Sequence, residues 1–175
     1  AGEPMLPMPS DDELYAGQSE WRLLTPIDHP RDPARCLVSG TGLTHLGSAA
    51  NRQQMHEAAE SDLTDSMKMF RSGLAGGKPA TGEIGVAPEW FYKGNGTIVA
   101  APGAPIPSPA FAKDAGEEPE MAGIYVIDKK GRPFRLGFAL GNEFSDHVTE
   151  RVNYLFLAHS KLRWCSFGPE IRLGE

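Results

Sequence analysis

Short apolar runs separated by Gly and Pro fill the second half of the chain and predict a β-rich region. Four such runs follow residue 88: "EWFYKG", "TIVAAPGAPIPSP", "EMAGIYVID" and "PFRLGFALGN". Runs of this length, rich in β-branched and aromatic residues and flanked by turn residues, are typical of strands. The segment "DKKGRP" at 128–133 separates the last two runs and predicts a hairpin turn.

One longer stretch has the composition of a helix. Residues 48–75 are rich in Ala, Gln, Glu, Met and Arg, which favour helices, and we expect a break near Glu60. The Gly-rich stretch at 76–85 predicts a flexible loop. Residues 147–163 fit either a short helix or an irregular segment, and Val148, Val152 and Leu155 share one helical face.

The N-terminal third offers fewer signals. Residues 1–32 are rich in Pro, Asp and Glu, and we expect an extended segment there. The segment "PARCLVSGTG" at 33–42 predicts a short buried strand that ends in a Gly-rich turn. The whole chain has 175 residues, 15 Pro and 20 Gly, which favours one domain with many turns and few long helices.

Charge and cysteine content exclude several classes of protein. A net charge of -6 disfavours a nucleic-acid partner, because phosphate binding needs a basic surface. No apolar run is long enough to span a membrane, and the N-terminus lacks the features of a signal peptide. Cys36 and Cys165 have no zinc-type spacing, so we expect two reduced, buried thiols in a cytoplasmic protein.

Carboxylates gather where the predicted hairpin ends. Glu118 and Glu120 are two residues apart at a strand start and project from the same face. Such a pair is most often simply solvated; it otherwise needs Lys, Arg or a divalent cation between its charges. The return strand brings Glu143 close to Glu118 if residue 120 pairs near residue 140. Three converging carboxylates suit a hard cation, Mg²⁺ or Mn²⁺ or Ca²⁺.

An ordered set of motifs resembles the fumarylacetoacetate hydrolase superfamily. The set comprises "EPEMAGIYVID", "GFALGNEFSDH" and the later "HSKL…FGPEI", together with "GLTHLGS" at 42–48 and Phe91-Tyr92-Lys93. The chain looks most similar to the sugar-acid branch of that superfamily, which includes 2-keto-3-deoxy-arabinonate dehydratases. The match runs in the same order from about Pro33 to the end of the chain.

The resemblance implies a fold and a domain layout. It implies an α+β fold with a mixed β-sheet roll and a few helices, in an incomplete domain. Residues 33–175 would be the first, metal-binding part of the catalytic domain, because members of this branch carry further sequence on both sides of the matched region. A homodimer partner or a complementary C-terminal segment would then cover exposed strand edges.

The resemblance also implies roles for individual residues. Glu118, Glu120 and Glu143 would bind the metal, and Lys161 would lie close to the metal and to substrate oxygens. His147 is a candidate general base, although it is as well placed to begin the segment that follows. Thr44 and Ser48 are candidates to bind sugar-acid hydroxyl groups, although Ser48 could equally cap the helix that follows. Lys93 is a candidate to bind the substrate carboxylate, or it pairs with a nearby acid.

The expected function is a metal-dependent reaction on a small 2-oxo acid through an enolate. Dehydration of a 2-keto-3-deoxy sugar acid is the first candidate for that reaction. The alternatives are a C–C hydrolase or decarboxylase of the same superfamily, or a relative that binds metal or sugar acid without turnover. Two departures favour that last alternative. Glu143 replaces the usual Asp, and His147-Val148 replaces an Arg-Asp pair.

Overall fold

The computed structural model describes residues 8–29, 31–42, 65–87, 89–153 and 156–174. The chain divides into two compact units, one formed by Ala1–Val38 with Gly94–Glu175 and the other by Ser39–Lys93. The described residues form a mixed sheet, a two-stranded sheet and a few helices, so the predicted α+β class is confirmed. The described helices are α1 Asp11–Tyr15, α2 Asp65–Gly76, α3 His147–Val152 and α4 Leu157–Lys161. The strands are β1 Leu37–Gly42, β2 Glu89–Asn95, β3 Val99–Ala100, β4 Pro119–Ile127, β5 Pro133–Asn142, β6 Cys165–Phe167 and β7 Arg172–Leu173.

A five-stranded mixed sheet forms the centre of the first unit. Its order is β3-β6-β5-β4, and β7 pairs with β5. The β3–β6 pair is parallel, whereas β5 pairs antiparallel with β4, β6 and β7. Strand β5 is therefore the central strand, and the residues that follow it leave from the middle of the sheet.

The long β4–β5 hairpin has the predicted turn and nearly the predicted register. Glu120 pairs with Gly141, one residue from the expected partner near 140, and a bulge lies between Ile124 and Tyr125. The turn closes with a hydrogen bond from the Asp128 amide to the Arg132 carbonyl at 3.0 Å. Gly131 has a φ of 78°, a conformation that glycine adopts without a steric penalty. The hairpin thus brings both of its outer ends together.

The second unit holds a two-stranded sheet of β1 and β2, together with α2. Strand β1 differs from the prediction, because it continues through the Gly-rich stretch to Gly42 and Leu37 is 66% exposed. A Cβ atom on Gly40 would collide with the Phe91 ring, so the glycine permits close pairing instead of ending the strand. Helix α2 confirms the end of the predicted helical stretch, and residues 43–64 lie outside the described part of the chain.

A short helix corrects the prediction for residues 1–32. Helix α1 begins after Ser10, whose Oγ accepts from the Glu13 amide at 3.3 Å. The Glu13 carboxylate in turn accepts from the Ser10 amide at 2.8 Å. This reciprocal pair is a capping box, so the Ser-x-x-Glu spacing in the sequence was the signal that the composition of the segment concealed.

The most buried side chains of the described chain are polar. Asp146, Ser145 and Ser160 are the largest side chains with less than 2% exposure, and Lys161 and Arg163 are also buried. Buried charged residues are uncommon unless they are paired or functional. The cluster that these residues form is therefore the feature of the first unit that most needs an explanation.

Neither cysteine forms a disulfide, and Cys36 is only half-buried whereas Cys165 is buried as expected. Burial raises the pKa of the Cys36 thiol, and the nearby charge of Asp28 raises it further. None of the helices in the described ranges has both the length and the apolar character that crossing a bilayer requires.

The close approach of β7 to β5 gives a test of this packing. A Cβ atom on Gly137 would collide with the Arg172 carbonyl, so Gly137→Ala should lower the free energy of unfolding by about 1–3 kcal/mol. Gly73 in α2 has open space around it, and Gly73→Ala should raise stability by about 0.5–1 kcal/mol. Urea denaturation measures both, and equal effects of the two variants would contradict the close β5–β7 pairing.

Candidate metal centre

Pairing of the hairpin continues beyond its regular strands and places Glu118 opposite Glu143. The Glu143 amide donates to the Glu118 carbonyl at 2.9 Å. Further out, Gly116 and Ser145 exchange two backbone hydrogen bonds of 2.9 and 2.7 Å. Phe144, between the two contacts, is buried and has a φ of 51°, which costs about 1–3 kcal/mol for a residue other than glycine. The predicted meeting of Glu118 and Glu143 is confirmed.

Lys161 lies at the centre of the acidic cluster. It is the last residue of α4 and only 4% exposed. Its Nζ atom donates to Glu118 Oε1 at 2.7 Å and to Glu143 Oε2 at 2.7 Å. A third bond goes to Ser145 Oγ at 2.8 Å, and Glu150 Oε1 lies 3.2 Å away. The three protons of an ammonium group are thereby matched by three close acceptors.

Two buried serines fix the carboxylates around this ammonium. Ser145 Oγ donates to Glu143 Oε2 at 2.6 Å. Ser160 Oγ lies 2.6 Å from Glu150 Oε1 and 2.6 Å from the Leu157 carbonyl. Both serine side chains are fully buried, so these bonds are shielded from competing water.

His147 adds a nitrogen donor at the edge of the cluster. Its Nε2 lies 2.8 Å from Glu118 Oε1, and its Nδ1 lies 3.6 Å from Asp114 Oδ2. Because an ionised carboxylate only accepts hydrogen bonds, Nε2 carries the proton in this contact. The ring lies against Gly116, where a Cβ atom would approach Nδ1 to 2.5 Å. Glycine at 116 therefore leaves the space that the imidazole occupies.

Asp146 fixes the start of α3 and hence the position of His147. Its Oδ1 accepts from the Thr149 amide at 2.9 Å, which caps the helix. Its Oδ2 accepts from the Lys113 amide at 2.9 Å and lies 3.6 Å from Arg163 Nη2. Burial alone would raise the pKa of Asp146, but these hydrogen bonds and the Arg163 charge lower it to about 2.

The cluster also shifts the pKa of two of its central groups. Burial alone would raise the pKa of Glu118, but contacts with Glu143, Lys161 and His147 outweigh it and lower the pKa to about 2. For Lys161, burial alone would lower the pKa. The charges of Glu143 and Glu118 and the hydrogen bonds to them raise it well above 10.5 instead. Glu118 is thus ionised, and Lys161 cationic, across the neutral range.

The sequence-based candidates have different positions. Glu118, Glu143, His147 and Lys161 come together in the cluster. Glu120 is half-buried in β4, two residues after Glu118. Lys93 is buried in β2 of the second unit. Thr44 and Ser48 lie outside the described residues.

Sequence reasoning missed Glu150, Ser145 and Ser160. Glu150 follows His147 by three residues on α3, and that i, i+3 spacing was an available signal for a shared face. The serines carried no comparable signal, since nothing in their spacing indicates burial.

The donor set fits a divalent cation. Within the described ranges, Glu118, His147 and Glu150 form a group whose ligand atoms all lie within 4.8 Å of one another. Glu143 shares the Lys161 ammonium with Glu118, which adds a carboxylate next to this group. Carboxylate oxygens suit Mg²⁺, Mn²⁺ and Ca²⁺, and a single imidazole among them does not create a zinc-type site.

Comparison with known proteins shows a likeness in fold. No protein-family model matches the chain, and no curated protein matches it. Solved structures of 2-keto-3-deoxyarabinonate dehydratase do match, at 22% identity. A hexagonal crystal form has a TM-score of 0.59 over 93% of this chain. The apo form has a TM-score of 0.61 over 97%, and a complex with magnesium and 2,5-dioxopentanoate has 0.57 over 99%. The fold therefore agrees with the resemblance that the sequence motifs indicate. The chain spans about half the length of these structures.

The lowered pKa of Glu118 predicts acid sensitivity. Because the pKa in the folded chain is about 2 and the ordinary value is 4.5, this group contributes stability above pH 4.5. That contribution is lost as the pH falls from 4.5 towards 2. Urea denaturation in EDTA at several pH values should show a steeper loss for the wild type than for Glu118→Gln. Identical slopes for the two proteins would contradict the ionic network.

Proposed function

We propose that the chain is the metal-binding part of an enzyme that dehydrates a 2-keto-3-deoxy sugar acid. The observation that carries the proposal is the convergence of Glu118, Glu143, His147 and Lys161 at the ends of one hairpin. Support comes from the likeness in fold to dehydratase structures, one of which is complexed with magnesium and a 2-oxo acid.

The proposed metal ligands are Glu118, Glu120 and Glu143, with Mg²⁺ as the first candidate and Mn²⁺ or Ca²⁺ as alternatives. When bound, such a cation polarises the 2-oxo group and makes the neighbouring C3 proton more acidic.

The remaining roles belong to protein side chains. Lys161 stays cationic and neutralises negative charge that develops on a substrate oxygen. His147 is the candidate general base; because Nε2 carries a proton towards Glu118, Nδ1 is its nitrogen that can accept one. Overall, a proton leaves C3 and hydroxide leaves C4, so that one molecule of water is released. Thr44, Ser48 and Lys93 are proposed to bind the substrate's hydroxyl and carboxylate groups.

The alternative within this superfamily is a C–C hydrolase or a decarboxylase, which needs the same carbonyl activation. A second candidate is binding of metal or sugar acid without turnover. Two departures from the family motifs favour it, namely Glu143 in place of the usual Asp and His147-Val148 in place of an Arg-Asp pair. A cytoplasmic location completes the proposal, since both thiols are free.

Turnover of 2-keto-3-deoxyarabinonate in Mg²⁺ is the direct test. We expect loss of one water by mass spectrometry, no turnover in EDTA, and a fall in kcat/KM of roughly 100-fold or more for Glu118→Gln. Glu117→Gln is the matched control, because Glu117 is exposed beside Glu118 and should leave turnover unchanged. Turnover that survives both EDTA and Glu118→Gln would refute metal dependence. Stabilisation by Mg²⁺ without turnover or any further effect of oxalate, an enolate mimic, would favour the non-catalytic candidate.

The assembly is also part of the proposal. Met121 and Leu140 pair across the hairpin and are 71% and 76% exposed. They line a groove of about 660 Å³ together with Phe138 and Leu173. Exposed apolar side chains grouped in one groove are a candidate contact surface for another chain. We propose that a second copy of the chain covers it, with a complementary C-terminal segment as the alternative occupant.

Light scattering tests the assembly. The 18.9 kDa chain should behave as a dimer, and Leu140→Asp should convert it to a monomer. Ile84→Asp is the control, because Ile84 is 99% exposed and lies in the second unit. A monomeric wild type would exclude the second copy and leave the complementary segment as the occupant.

A further inference from the structure

The Lys161 ammonium has the surroundings of a bound cation. Its Nζ bonds two carboxylate oxygens and one hydroxyl at 2.7 to 2.8 Å, on Glu118, Glu143 and Ser145. Each of these three acceptors can take one N–H group of the ammonium. Glu150 Oε1 lies 3.2 Å from Nζ and is less closely engaged.

A divalent ion that binds Glu118 and Glu143 must compete with this ammonium. Both cations attract the same two carboxylates, and they repel each other at short distance. Three carboxyl groups, on Glu118, Glu143 and Glu150, lie around Nζ against one positive charge on Lys161. The cluster can accommodate both cations if they divide these carboxyl groups between them.

Glu150 is positioned to accept a hydrogen bond from the Lys161 ammonium when the metal binds. Ser160 Oγ lies 2.6 Å from Glu150 Oε1 and belongs to the residue immediately before Lys161. Helix α3 carries Glu150, and the Asp146 cap fixes the start of that helix. Only a small displacement of Nζ would change its contact with Glu150 from 3.2 Å to a full charge-assisted hydrogen bond.

We propose that Lys161 is an internal counter-cation that shares Glu118 and Glu143 in the metal-free chain, and that Glu150 and Ser160 form the place to which it moves when a divalent cation binds. The inference rests on the proposed metal site. It gives Glu150 a positioning role that acts through Lys161 and sets the affinity for metal, since binding includes displacement of the ammonium.

The test is a double-mutant cycle read by calorimetric titration with Mn²⁺. Lys161→Met should bind Mn²⁺ at least about tenfold more tightly than the wild type, because the competing charge is gone. Glu150→Gln should bind about tenfold more weakly, because the ammonium has lost its alternative partner. In the Lys161→Met background, Glu150→Gln should change the affinity less than about twofold. Lys130→Met, at an exposed hairpin-turn lysine, is the control and should bind as the wild type does.

Each failure has a separate reading. Equal or weaker binding by Lys161→Met would overturn the inference and leave the metal site intact. Weaker binding after Glu150→Gln in both backgrounds would make Glu150 a direct ligand and overturn its role through Lys161. Absence of Mn²⁺ binding in every protein would overturn the metal site itself and the inference with it. If Lys161→Met is unfolded without metal, recovery of its circular dichroism with Mn²⁺ supports the inference, and unchanged affinity of Glu150→Gln alone overturns it.

Discussion

The first unit is organised around one interaction, the Lys161 ammonium held between the Glu118 and Glu143 carboxylates. Two buried or half-buried acids next to each other would repel, and removing one partner from such a network costs about 3–5 kcal/mol. The ammonium 2.7 Å from each acid makes the arrangement tolerable. It also connects three parts of the chain that are distant in sequence, namely the two ends of the hairpin and the end of α4.

Backbone geometry brings these charges together. The backbone pairing of the hairpin continues to Gly116 and Ser145. The residues just before β4 and just after β5 are therefore held next to each other. Phe144 adopts a left-handed conformation there, and Asp146 caps α3 directly afterwards. A site that depends on backbone pairing and a helix cap is positioned by rigid elements, and this is the condition for binding an ion with defined geometry.

The hairpin and half of the cluster could be predicted from the sequence, for a physical reason. The alternation of the strands and the Gly-containing turn determine which residues pair, and the abrupt change from apolar to acidic residues marks where the strands end. The proximity of Glu118 and Glu143 could therefore be predicted. Glu150, Ser145 and Ser160 were not, because their burial depends on how α3 and α4 pack, and no short pattern specifies that. The helix at Asp11–Tyr15 differs for another reason, since the Ser10–Glu13 capping box starts a helix in a segment whose Pro-rich and acidic composition favours an extended chain. In β1, the glycines that resemble a turn signal permit close strand pairing instead.

The central claim is that the acids at the hairpin ends hold a divalent ion, and anomalous diffraction at the manganese edge tests it most directly. In crystals soaked with MnCl₂, the account predicts an anomalous peak at roughly 2.0–2.3 Å from carboxylate oxygens of Glu118 and Glu143, with Lys161 Nζ shifted towards Glu150. A map with full Mn²⁺ occupancy elsewhere, and with Lys161 still bonded to both acids, would contradict the account.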